Sequence, residues 1–329
     1  MQSAGPRWTR RSALAAGAAV AAGWRGALAA GYPARTITLV VPTGAGGTLD
    51  ATARLLADEM RAQLGASVVV DNRSGGGGAI ATQFVARAPA DGHVLLFTMT
   101  SHLSNAAIRS RSGYDPVRDF AAVSLFATSG AVVVVHPASP VRTWDDFVRA
   151  ARTARGQSVG HWGVGTSTHF YAAMVEDVAR LKLTTVPYRG EAALLAELMA
   201  GNLDAGFVSI NAYRTLAQAG KLRGLAVTLR QRSAAVPDLP TLEELGVPGP
   251  GRLTGWFGLL APAGTPAAAV ERLSAVVAGY VRRPQVRAQL VEQLALAPEG
   301  STPEAFGQLL QTEFADWKKA ADAYGIQAE

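Results

Sequence analysis

At 329 residues, with 49% of them apolar and 17% charged, the chain has material for two domains of ordinary size and is too apolar to be disordered. Its formal charge is +6, but Arg7, Arg10, Arg11 and Arg25 all fall in the first thirty residues with no acid among them; removing those four leaves +2, which takes away the main support for nucleic-acid binding. Cysteine is absent, which excludes disulfides, thiolate metal sites, a cysteine nucleophile and a lipid-bearing cysteine.

The chain opens with Thr9-Arg10-Arg11-Ser12-Ala13-Leu14, an apolar run from Ala13 to Gly23, then Trp24-Arg25 and Ala27-Leu28-Ala29-Ala30. A basic start, a short apolar middle and an A-x-A end predict an export signal cut near Ala29 or Ala30. The paired arginines point to the twin-arginine route, which carries folded proteins. The apolar run is too short to span roughly 30 Å of hydrocarbon, so a soluble periplasmic protein is expected.

Beyond the signal, strand-like runs alternate with helical stretches, the pattern of an α/β fold with mainly parallel sheets. Thr36–Pro42 reads as a buried strand, followed by the loop Thr43-Gly44-Ala45-Gly46-Gly47-Thr48-Leu49. Asp50 is placed to cap a helix carrying Ala53, Leu56, Met60 and Leu64 on one face. Strands follow at Ser67–Val70 and His93–Thr98, separated by Asp71-Asn72-Arg73, the glycines 75–78 and a short helix ending before Pro89. Ala131–Val135, with Pro137 and Pro140 after it, reads as a passage between domains. A second alternating series then runs through a helix from Trp144, a strand at Ser158–Gly160, a loop Gly165-Thr166-Ser167-Thr168-His169 and a helix to Leu181. It continues with strand Thr184–Pro187, helix Glu191–Ala200 and strands Leu203–Val208 and Leu222–Thr228. Gly255–Ala261 reads as a strand returning to the first domain, and helices start at Thr265-Pro266, at Pro284 and at Ser301-Thr302-Pro303-Glu304. This predicts a discontinuous first domain, residues 31–130 with 256–329, and a second domain, 131–255. Two crossings between them would form a hinge, with a ligand cleft between two lobes.

Three loops lie where parallel α/β sheets bind ligands, beyond strand ends and at helix starts. In Thr43–Asp50, the glycines Gly44, Gly46 and Gly47, with Ala45, let main-chain N–H groups approach a ligand, and the following helix offers its positive end. Thr43 and Thr48 add hydroxyls, whereas Asp50 would fix the loop, because a carboxylate aimed at an anion repels it. Gly163–His169 offers the same chemistry through Gly165, Thr166, Ser167 and Thr168. Thr98–His102 adds the hydroxyls of Thr100 and Ser101. Neither lobe presents an arginine fork, so an anion would be held by amides and helix dipoles. Four or five charge-assisted bonds of roughly 1.5–3 kcal/mol each, less association costs, reach the about 8 kcal/mol of a micromolar complex.

Read in order, further segments carry a resemblance: Tyr32-Pro33 with Ile37-Thr38-Leu39-Val40-Val41-Pro42, Gly46-Gly47-Thr48-Leu49-Asp50, and Asp71-Asn72-Arg73-Ser74 with glycines 75–78. They continue with Ala90-Asp91-Gly92-His93-Val94-Leu95-Leu96, Tyr114-Asp115-Pro116-Val117-Arg118-Asp119-Phe120 and Gly165-Thr166-Ser167-Thr168-His169. Val186-Pro187-Tyr188-Arg189-Gly190, Gly220-Lys221-Leu222-Arg223-Gly224-Leu225-Ala226-Val227-Thr228 and Trp256-Phe257-Gly258-Leu259-Leu260-Ala261-Pro262-Ala263-Gly264-Thr265-Pro266 complete the set. Together they resemble the Bug receptors, extracytoplasmic solute receptors of tripartite tricarboxylate transporters. The resemblance implies a two-lobed periplasmic binding protein, type II-like, that closes on a small organic carboxylate and hands it to a membrane permease pair. It places the pinching loops at Thr43–Asp50 and Gly163–His169, with Asn211 at a polar position near the cleft. The chain departs from the family's usual aromatic-and-proline pattern at Thr43, Gly44 and Ala45, and has His161-Trp162 where small polar residues are common. Trp162 would either stack on an aromatic acid or belong to the core.

The main rival is an exported dinucleotide-binding oxidoreductase, since Gly44-Ala45-Gly46-Gly47 follows a strand and Asp71 ends the next one about twenty residues on. Leu49 stands where the third glycine of that fingerprint belongs. A hydrolase is weaker: Gly165-Thr166-Ser167-Thr168-His169 lacks the second glycine of a nucleophile elbow, and His169 reads as a hydrogen-bonder at a helix start. His93, His102, His136 and His161 show no metal-ligand spacing. No catalysis, cofactor, metal or nucleic-acid partner is expected, and a monomer is. Trp317, Lys318 and Lys319 read as part of a solvated amphipathic face.

Overall fold

Ile37–Val41 (β1) is an apolar run buried along almost its full length, which suits a strand flanked on both sides. In the computed structural model, which describes residues 31–109 and 112–328, it lies within a six-stranded sheet. The signal expected over residues 1–30 lies outside the described residues. Helix α1 (Thr48–Leu64) follows β1 and buries Ala53, Leu56, Met60 and Leu64, the face the spacing predicts. Next come β2 (Val68–Asn72), α2 (Ala79–Ala86), β3 (Val94–Met99) and α3 (Ser101–Ile108). Because β1 pairs in parallel with both β2 and β3, their C-terminal ends share one sheet edge, and α1 and α3 begin there.

The chain leaves this sheet along β4 (Phe120–Ser129), passes Gly130 and enters β5 (Ala131–Val135), which is fully buried. The second unit holds α4 (Trp144–Ala151), β6 (Gln157–His161), α5 (Ser167–Val178), β7 (Leu183–Pro187), α6 (Glu191–Met199), β8 (Ala205–Ser209), α7 (Ile210–Gln218) and β9 (Arg223–Val227). The return runs along β10 (Gly255–Pro262) into α8 (Ala267–Val281), α9 (Pro284–Leu294), β11 (Ala297–Pro298) and α10 (Pro303–Ala323). The sheet orders are β11-β4-β10-β3-β1-β2 and β7-β6-β8-β5-β9. The α/β, two-lobed architecture is thus present, each lobe being one sheet with its flanking helices.

Three readings need correction. The sheets are mixed rather than mainly parallel: β10 runs antiparallel to both β3 and β4, and β5 antiparallel to both β8 and β9. Strands that carry the chain out of a lobe and back beside it must point in opposite directions. Ala131–Val135 is a central strand of the second sheet, and the crossing itself is Ser129-Gly130. Trp317 is buried, not solvated: α10 buries Phe306, Leu310, Glu313, Trp317, Ala320 and Ala321, while Lys318 and Lys319 stay exposed. Trp317 meets Phe170 of α5 edge-on at 4.7 Å between ring centroids, so the C-terminal helix packs on the second lobe as well as on β4 and Trp256. No helix among the described residues is long and apolar enough to cross a membrane.

Candidate functional site

The two sheets present the C-terminal ends of their parallel strands to one another across a cavity of about 260 Å³. Thr48, Thr100 and Ser101 line it from the first lobe, and Trp162, Thr166, Ser167 and Asn211 from the second. The crossing segments Ser129-Gly130 and Gly255-Trp256 form part of its wall. They pair closely: a Cβ on Gly255 would stand 2.9 Å from the Ser129 carbonyl oxygen, which admits only glycine there without displacement. Thr43, Gly44, Ala45, Gly46, Gly47, Asp50, Gly165 and Thr168 do not line the cavity; they build the loops that do.

Each loop is fixed by its own side chains. Helix α1 begins at Thr48 with Gly47 at its N-cap, so Asp50 is not the cap residue; it sits in the first turn and reaches back. One Asp50 oxygen accepts the Gly46 N–H at 2.9 Å, and the other accepts Asn72 Nδ2 at 3.0 Å and pairs with Arg54 at 3.0 Å. Burial works to raise the Asp50 pKa, but Arg54, the Gly46 amide and Asn72 together hold it below the usual carboxylate value. Asn72 also donates to the Thr43 carbonyl at 3.0 Å, tying the loop to β2. In the second lobe the Thr166 hydroxyl donates to Gly163 O at 2.7 Å, and Thr168 Oγ1 accepts the Trp162 N–H at 3.0 Å. The Gly165 N–H donates to His169 Nδ1 at 3.2 Å, the hydrogen-bonding role expected of that histidine. His169 stacks on His161 at 4.3 Å; burial, then the neighbouring ring, pushes the His161 pKa down to about 4, and burial lowers that of His169 too.

Neither N-cap residue in these two loops satisfies its helix with a side chain. Gly47 has no side chain to offer, and Thr166 has turned its hydroxyl to Gly163, so the first-turn amides of α1 and α5 have no side-chain cap. Helix α4 shows the contrast: Thr143 and Asp146 form a reciprocal capping box. Uncapped amides with an aligned helix dipole behind them make a site for an anion. Lysine and arginine are missing from the cavity wall among the described residues, as is any group of three residues fit to hold a metal ion. The Thr100 hydroxyl is committed to the crossing strand, accepting the Trp256 N–H at 2.7 Å. Trp162 is half-buried, packs against the core and also lines the cavity, so core and wall are not alternatives for it.

Glu191, Ser209 and the segment Leu294–Leu296 also line the cavity and escaped the sequence reading. A carboxylate at the start of a helix reads as a solvated capping group, and Leu294–Leu296 enters from the far end of the chain. A larger hollow of about 500 Å³, lined by Thr128, Arg230, Arg252 and Glu313, shares only Trp256 and Ala295-Leu296 with the cleft. Its wall is made of loop, strand and helix residues and includes no helix start, whereas the smaller cavity has the uncapped starts of α1 and α5 on its wall.

The chain matches the model of the tripartite tricarboxylate transporter family receptor over residues 52–326. It is 38% identical over 299 residues to a Pseudomonas sp. protein described as the UPF0065 protein in the tcbD-tcbE intergenic region, covering 90% of this chain and 88% of that one. Protein BugT of Bordetella pertussis is 28% identical, with 83% and 82% covered. Among solved structures, R. palustris Rpa4515 with adipate aligns with a TM-score of 0.78 and 33% identity, covering 90% of this chain and 99% of that one. MatC from Rhodopseudomonas palustris with bound malate aligns at 0.74 and 30%, with 88% and 99% covered. The matched family is one of transporter receptors rather than enzymes, which sets aside the oxidoreductase and hydrolase readings. The paired loops, the two-lobed fold and the family match agree: the chain belongs to the tripartite tricarboxylate transporter receptor family, as a solute-binding receptor of Bug type.

Proposed function

We propose that this receptor captures a small organic carboxylate between its lobes and delivers it to the permease subunits of a tripartite transporter. The lobes would be residues 31–130 with 256–329, and 131–255, hinged at Ser129-Gly130 and at the entry to β10. The carrying observation is that α1 and α5, from different lobes, open uncapped N-termini onto one cavity without a lysine or arginine on its wall. A carboxylate would accept from the amides of Thr48 and Leu49 on one side and of Ser167 and Thr168 on the other, with the hydroxyls of Thr48, Ser101 and Ser167 and the Asn211 amide completing its shell. Thr43, Gly44, Ala45, Gly46, Gly47, Asp50, Gly165, Thr166 and Thr168 hold those donors in place, and Trp162 walls the solute's body. The adipate and malate in the two R. palustris relatives support a carboxylate solute. Export through the twin-arginine signal, cleavage near Ala29 or Ala30 and a monomeric periplasmic receptor complete the reading.

A thermal-shift screen of the purified mature protein against carboxylates, sugars and amines tests it. A carboxylate at a hundred times its Kd should add about 2.7 kcal/mol of stability and a clear rise in Tm. Stabilisation by sugars or carboxyl-free amines alone, or by nothing in the set, would contradict it.

A further inference from the structure

The cavity that should receive a carboxylate has a carboxylate in its own wall. Glu191 is the first residue of α6, just beyond β7, and it reaches past the end of β6 to Ser209 at the end of β8. The Ser209 N–H donates to one Glu191 oxygen, and the Ser209 hydroxyl lies 3.1 Å from the other. Ser209 Oγ also accepts the Ala212 N–H at 3.2 Å as the N-cap of α7, so its own proton is free to point at Glu191. Both oxygens of the acid therefore receive donors, the arrangement of an ionised carboxyl. The helix start behind it favours the same form. Burial acts against this and pushes the Glu191 pKa up, with the Ser209 bonds opposing it.

No cation balances this group: Glu191 has no salt bridge among the described residues, and lysine and arginine are absent from the cavity wall. An ionised carboxylate has about four acceptor positions, and Ser209 fills two. Trp162 lines the same cavity as Glu191. An indole is the ring best suited to a cationic neighbour. A second carboxylate brought here would meet a like charge in a partly desolvated space, whereas an ammonium would meet an unpaired opposite charge in a cavity that is also walled by an indole.

We propose that Glu191 selects a solute bearing a protonated amine as well as a carboxylate, an amino-carboxylate in preference to a dicarboxylate. The inference rests on the carboxylate reading above and names the chemistry of the solute's other end. Calorimetric titration of the mature protein at pH 7.5 tests it, with three straight-chain series of matched length: ω-amino acids, dicarboxylates and monocarboxylates. The best ω-amino acid should bind at least tenfold more tightly than the dicarboxylate of the same length, a difference of about 1.4 kcal/mol. Glu191→Gln keeps an acceptor for the Ser209 N–H and removes the charge; it should erase that preference, with the dicarboxylate gaining and the amino acid losing affinity. Wild-type preference for the dicarboxylate, or a ratio unchanged in a folded Glu191→Gln protein, overturns the inference and leaves carboxylate capture standing. No binding in any series overturns both. Should the variant fail to fold, the wild-type ratio decides alone.

Discussion

Replacing Gly165 by alanine should weaken the fold and, separately, solute capture. Gly165 has φ +76°, and a Cβ there would stand 2.1 Å from Cδ1 of Ile108. Ile108 ends α3 in the first lobe and is only 5% exposed, so this contact spans the cleft into the loop that starts α5. Two costs separate. The left-handed backbone costs an L side chain roughly 1–2 kcal/mol whether the lobes are open or shut, and appears in stability. The clash exists only where the lobes meet, and it forces Ile108 off its rotamer at about 0.5–1.5 kcal/mol. That second cost falls on the closed form and should raise Kd about 2- to 13-fold. Calorimetric titration measures it, and a melt without ligand measures the first. Ile108→Val removes Cδ1, so the double variant should recover affinity while the lowered Tm persists. A double variant that binds as weakly as Gly165→Ala would refute the argument that this contact belongs to closure.

Gly47→Val probes the amide site directly: Gly47 has φ −83° and ψ 170°, and no atom lies within 4 Å of a Cβ built there. The variant should keep its far-ultraviolet circular dichroism and lose about 1.5–3 kcal/mol of binding in calorimetry, one charge-assisted bond, as the branched side chain crowds the first-turn amides. Acid stability should follow the buried histidines. Burial pushes His102 and His161 down to about 4, so the fold keeps them neutral while the unfolded chain protonates near pH 6.5. Their contribution is then whole above pH 6.5 and is lost as pH falls toward 4, up to about 3 kcal/mol each, read from denaturant melts across that range. Burial raises Glu313 to about 8, with the Trp256 indole N–H at 2.9 Å working against it. A carboxyl kept neutral in the fold loses stability as pH rises from 4.5 toward 8, so stability should peak near pH 6.5 and Glu313→Gln should flatten the decline above it.

Local chemistry was legible and long-range geometry was not. The loops Thr43–Asp50 and Gly163–His169 announced themselves because glycine and hydroxyl residues before a helix-forming run have a meaning that needs no partner. The alternation of strand and helix gave the α/β class in the same way. Strand direction depends on which strands become neighbours, so the antiparallel β10 and β5 were hidden in residues that read equally well as parallel strands. Glu191 escaped because its meaning lies in Ser209, eighteen residues on and two strands away in the order β7-β6-β8. Strand β4 was missed because its alanines and serines carry little β preference and its burial comes from α8 and α10 packing on it. Trp317 was legible after all: Phe306, Leu310, Glu313, Trp317 and Ala321 recur at helical spacing, and the neighbouring lysines drew attention to the wrong face.

A crystal structure of the mature protein with its bound solute tests the account most directly. The account predicts carboxylate oxygens within about 3 Å of main-chain N–H groups in the first turns of both α1 and α5. A solute held by one lobe alone, or seated in the hollow lined by Arg230 and Arg252, would contradict it.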